Sequence, residues 1–176
     1  AAVMIAAKEK RLDFVPRLDP IAESMKKLGP TGVEPGTLAR FMVAETLIDP
    51  ASKRARIQGV LNDFITRQPD NFFAMQLQAD MLAERGDTDG AIALLQKIVD
   101  LPKRKLGVEG LLLQGLQPAV IGKQARFSML AWEKAKPEDR AAALAKAKDY
   151  AAKFKVVAGD TPPTMLLEAQ IKFGEG

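Results

Sequence analysis

Apolar side chains recur at three- and four-residue spacing along most of the chain, the period that lines one face of an α-helix. Between 50 and 67, Ile57, Val60, Leu61, Phe64 and Ile65 follow it, while Lys53, Arg54, Arg56 and Asp63 fall elsewhere. Ala91, Leu94, Leu95, Ile98 and Val99 repeat the pattern, and so do Ala143, Leu144, Ala147, Tyr150, Ala151 and Phe154. No stretch sustains the two-residue alternation and β-branched enrichment of a strand. The spacing predicts helices over 2–12, 20–28, 35–48, 50–67, 71–85, 88–100, 118–135, 137–157 and 163–173, an all-α chain.

Proline sets the boundaries. Each of the 11 prolines can be placed between helical patterns or in a first helical turn, where its missing N–H has no intrahelical acceptor to lose. Asp19-Pro20 and Asp49-Pro50 read as an N-cap carboxylate followed by proline at the first helical position. Most linkers are short, which folds successive helices into antiparallel hairpins.

Hairpins of this size prompt a search for an internal period. Gly86-Asp87-Thr88-Asp89-Gly90-Ala91 joins two helical patterns, with Met75 and Ala79 upstream, Leu95 and Ile98 downstream, and Pro102 closing the unit. A step of 34 residues back sets Phe41 over Met75, Ile57 over Ala91, Leu61 over Leu95 and Phe64 over Ile98. A third unit carries Phe127, Leu130 and Ala131, then Ala143, Ala147 and Tyr150; a fourth begins at Pro162-Pro163 with Met165 and Ala169. From about residue 35 onward the chain resembles the tetratricopeptide-repeat family. It departs from that pattern at Glu45, where a small residue is expected, and at the Lys136-Pro137-Glu138-Asp139 turn.

The resemblance implies an α-α superhelix, a solenoid of antiparallel helical hairpins. Its parts would be a degenerate N-terminal helical pair over 1–34, two repeats over 35–102, an insertion over 103–117, and a repeat plus the first helix of another over 118–176. Glycines 107, 110 and 115 argue against one long helix through the insertion, so a short covering helix is expected there. Ending on half a repeat would leave an apolar face (Met165, Leu166, Ala169) uncapped, which points to a piece of a longer protein and to a surface for self-association. By the same resemblance, first helices line a concave groove for a protein or peptide. Met42, Phe73, Gln76, Asp80, Glu84, Ser128, Trp132 and Lys136 take its groove-facing positions. Trp132, the sole tryptophan, is either a partner anchor or packed against the next repeat.

Composition narrows the chemistry. The 176 residues include no Cys and no His, so disulfides, Cys- or His-ligated zinc, a cysteine nucleophile and a Ser-His-Asp triad are excluded. With 47% apolar residues and a mean hydropathy of −0.07, the chain is neither disordered nor transmembrane in composition. Ala1–Ala7 is apolar but too short to span a membrane. Carboxylate pairs such as Asp80 and Glu84 read as helix-face residues, and Gly32–Gly36 and Gly107–Gly110 lack the Lys-Ser/Thr of a phosphate loop. The expectation is a non-catalytic scaffold without cofactor or metal, with an architectural spacer as the alternative.

Charge adds one further class. Residues 1–100 carry 13 basic and 14 acidic side chains, net −1, and residues 101–176 carry 13 and 8, net +5. Lys146, Lys148, Lys153, Lys155 and the Lys103-Arg104-Lys105 run suggest nucleic acid as a lesser alternative, resting on charge alone.

Overall fold

Local chemistry starts and stops the helices where the sequence places its caps. The Asp49 carboxylate accepts the Ser52 N–H at 2.7 Å with Pro50 behind it, and that of Asp87 accepts the Gly90 N–H at 2.8 Å. Just before, Gly86 adopts φ 89, and the N–H of Asp87 reaches back to the Leu82 carbonyl at 3.0 Å. That is the left-handed helix ending that glycine makes cheaply. In the computed structural model, residues 35–45, 47–104 and 107–175 are described; the helices expected over 2–12 and 20–28 lie outside them.

The described residues form seven α-helices and a 3-10 turn, with no strand: α1 (Pro35–Glu45), α2 (Pro50–Arg67), α3 (Phe72–Glu84), α4 (Thr88–Asp100), the turn Leu101–Arg104, α5 (Gly107–Glu133), α6 (Arg140–Ala158) and α7 (Pro162–Glu175). The chain divides into two compact units, one ending at Leu77 and one beginning at Gln78.

In the first unit α1 and α2 form an antiparallel hairpin, as their cross-contacts run in opposite senses. The Arg67 guanidinium donates to the Thr37 hydroxyl, Arg40 pairs with Asp63, and Lys53 pairs with Glu45. Phe41, Ile57, Leu61 and Phe64 are buried, and the Phe41 and Phe73 rings meet edge to face at 5.4 Å. Each such side chain contributes roughly 1.5–3 kcal/mol by leaving water.

The second unit repeats the pattern. Gln124 donates its amide to the Ile92 carbonyl, and Gln117 donates to that of Val99, so α5 runs antiparallel to α4. Lys155 with Glu168 and Lys148 with Glu175 set α7 antiparallel to α6. Contacts also skip one helix: Asp80 on α3 pairs with Lys123 on α5, Asp89 on α4 with Lys146 on α6, and Trp132 on α5 packs against Gly174 on α7. From α4 to α7 each helix thus packs on its successor, and α3 with α5, α4 with α6 and α5 with α7 also meet across one helix, the arrangement of stacked helical hairpins from which α-solenoids are built. A single apolar cluster ties α5, α6 and α7 together: Ala125, Met129, Trp132, Ala147, Ala151, Leu167 and Ile171.

One stretch differs from the expectation. The expected boundary between 103–117 and 118–135 is absent from the helix: α5 runs unbroken from Gly107 to Glu133, 27 residues with Pro118 inside it. An interior proline costs about 3 kcal/mol through its lost hydrogen bond and ring clash. Burial on both sides of it compensates, since Leu113 and Val120 are 2% and 1% exposed and Gln117 bonds α4. The helix start is set by Gly107 at φ 69, not by the proline.

Candidate functional site

Of the groove positions expected in the second unit, not all reach the surface. Ser128 and Trp132 are buried, at 1% and 5% exposure, which corrects their assignment as partner contacts. The reason lies in the position of α5, which packs against α4, α6 and α7 and so has only a narrow free face. The Ser128 hydroxyl turns back to the Ala125 carbonyl at 2.7 Å, and the Trp132 ring lies in the cluster with Arg140 5.9 Å from its centroid. In the first unit, Met42, Phe73 and Gln76 are half-buried, with Phe73 on the Phe41 ring. In the second, Asp80 is engaged by Lys123 at 2.8 Å, whereas Glu84 and Lys136 are exposed.

The free face of α5 instead borders a hollow of about 680 Å³ between α5 and α7. Pro162, Pro163, Leu166 and Leu167 form the α7 wall, Ala119 and Gly122 the α5 wall, and Phe154 of α6 reaches in between. Gly122 makes this possible, because a Cβ there would sit 2.9 Å from the Phe154 ring. Lys123, Arg126 and Gln170 are its polar members. Lys123 is held by Asp80, while Arg126 is exposed and has no carboxylate partner among the described residues. Two other hollows are less suited to an apolar ligand. One against α1 and α2 is crossed by the Arg40–Asp63 pair, and one at the hairpin ends is lined by Lys134, Lys136, Lys146, Asp89 and Asp139.

The lysines that gave the second half its basic character are largely spent inside the unit. Lys146 pairs with Asp89, Lys148 with Glu175, Lys153 with Asp149, and Lys155 with Glu168 and Asp160. Hydrogen bonding to Asp149 raises the Lys153 pKa, and bonds to Glu168 and then Asp160 raise that of Lys155. Asp49 is lowered by Ser52, and Asp100 by Lys103 and then Gln96. Tyr150 and Phe154 are half-buried, with the Lys153 ammonium 4.8 Å from the Tyr150 ring, so neither presents an open stacking platform.

Among the described residues no three acidic side chains converge as a metal-ligand group, and no helix is long and apolar enough to cross a membrane. Sequence reasoning missed the hollow because it assigned α5 positions by the repeat frame alone. The signal was present in Gly122, a glycine inside a strong helical pattern, which marks close approach of a neighbour. Comparison with protein-family models, curated proteins and solved structures finds no match to the chain.

Proposed function

We propose that the chain is a non-catalytic, tetratricopeptide-like scaffold that holds a protein partner against its stacked hairpins. The observation that carries this reading is the α5–α7 hollow, where five large apolar groups (Phe154, Pro162, Pro163, Leu166, Leu167) surround an opening edged by Lys123, which pairs with Asp80, and by Arg126, which has no carboxylate partner among the described residues. An apolar depression with a few convergent polar groups is the usual form of a recognition site. Leu166 is 60% exposed and its neighbour Met165 59%, an arrangement that gains from being covered. The internal ion pairing of Lys146, Lys148, Lys153 and Lys155 leaves the nucleic-acid alternative without its main support.

A photo-crosslinking residue at position 166, compared with one at Val156 on exposed α6 surface, tests the scaffold against the spacer. The scaffold predicts a discrete adduct from position 166 and none from 156. A spacer predicts none from either.

A further inference from the structure

The α5–α7 hollow has a polarity along its length that defines what fits it. Arg126 lies seven helical steps beyond Ala119, about 10 Å at 1.5 Å per residue. The packing of Trp132 against Gly174 sets the register, so that the start of α7 lies beside Ala119 and Gly122 and its middle beside Arg126. One end is therefore apolar, with Pro162, Pro163, Leu166 and Phe154. The other is polar, with Arg126 and Gln170. The groove between two side-by-side helices accepts the side-chain ridge of a third.

We propose that this hollow binds an acidic amphipathic helix. Two large apolar residues one turn apart seat on Phe154, Leu166 and the prolines, and an Asp or Glu one turn further on meets Arg126. This rests on the scaffold reading and specifies its partner. Charge complementarity selects the occupant. Among the described residues Arg126 has no carboxylate partner, and Lys123 pairs with Asp80, so Arg126 leaves positive charge at the polar end. A second copy of α7 would bring the exposed stripe Met165, Leu166, Ala169 and Phe173, but no free acid. Glu168 is committed to Lys155 and Glu175 to Lys148, leaving Lys172 to oppose Arg126.

The test is a selection from a helix-forming peptide library on the whole chain, followed by fluorescence anisotropy with the enriched peptide. Wild type is compared with Leu166→Asp, Arg126→Glu and Arg126→Lys, each first shown to melt as wild type does. The expected peptides carry two apolar residues one turn apart and an acid on the next turn. Leu166→Asp abolishes their binding, and Arg126→Glu weakens it on the order of tenfold, by lost attraction plus new repulsion. Arg126→Lys retains most of it, and selection on Arg126→Glu enriches Lys or Arg in place of the acid. Peptides that bind wild type and Arg126→Glu alike, yet need Leu166, leave the scaffold standing and overturn this proposal. No enrichment overturns both. A concentration-dependent dimer in sedimentation, dissolved by Leu166→Asp and competing with peptide, gives the hollow to a second copy and overturns the acidic-helix assignment.

Discussion

Trp132 offers the sharpest separation of packing from surface function, because its size and its N–H pull stability in opposite directions. The ring is 5% exposed inside the cluster joining α5, α6 and α7, and its Nε1 has no hydrogen-bond partner among the described residues. Truncation in Trp132→Ala removes roughly 150–250 Å² of buried apolar surface, worth about 4–6 kcal/mol at 25 cal/mol per Å². Measured aromatic truncations in cores cost about 3–5 kcal/mol, and that is the expected loss. Trp132→Phe keeps most of the packing and removes the unpaired donor, whose burial costs about 1–3 kcal/mol. The smaller ring gives up a comparable amount of contact, so the net change is expected within about 1 kcal/mol of zero. Urea unfolding followed by circular dichroism reads both variants on one scale. In wild type the emission of this sole tryptophan should resist acrylamide quenching until the same transition. Equal losses for Ala and Phe would refute the opposed-terms argument. A Trp132→Ala variant as stable as wild type, together with easily quenched native emission, would return Trp132 to the surface.

Four further outcomes follow from the geometry. Gly159 lies at φ 69, ψ −164, a region essentially reserved for glycine, so Gly159→Ala should lose about 1–3 kcal/mol in the same urea assay. Asp87→Ala removes the α4 cap and should cost about 1 kcal/mol, while Asp87→Asn should recover most of it. Gly174→Ala would ordinarily favour a helix, but its Cβ would overlap the Trp132 ring, so reduced protection of the last α7 turn in hydrogen exchange is expected. With no histidine, and with Asp49 and Asp100 lowered and Lys153 and Lys155 raised, stability should stay nearly flat from about pH 5 to about pH 10. The aspartate contributions are present above the unfolded carboxylate pKa and vanish as pH falls through the lower folded values. The lysine contributions are present below the unfolded lysine pKa and vanish as pH rises through the higher folded values. A melting temperature that changes steeply between pH 6 and 8 would contradict this.

The helices were legible where caps and periodicity coincide. Asp49-Pro50 and Asp87 mark the starts of α2 and α4 at the expected residues, and Gly86 marks the intervening turn. Hairpin packing followed from the short linkers. Pro118 misled because local propensity was outweighed by burial of Leu113 and Val120 against neighbours far away in sequence. The site was harder to read for a related reason. Which face of α5 stays free depends on three partner helices, and a repeat frame locates residues within a hairpin without saying what the next hairpin covers. Ser128 and Trp132 fell on the covered side, whereas Ala119, Lys123 and Arg126 border the hollow. The basic half looked like a ligand surface because sequence shows the lysines but not the carboxylates folded against them.

The central claim is that alternate helices of the second unit lie side by side, with α7 against α5. A chain with one tryptophan and no cysteine allows a direct proximity measurement. A nitroxide attached through Phe173→Cys, a position 90% exposed and adjacent to the glycine that touches Trp132, places a contact quencher beside a single emitter. The account predicts strong quenching of Trp132 emission in the folded protein, relieved by urea at the unfolding midpoint. Native emission equal to that of the unlabelled protein would contradict it.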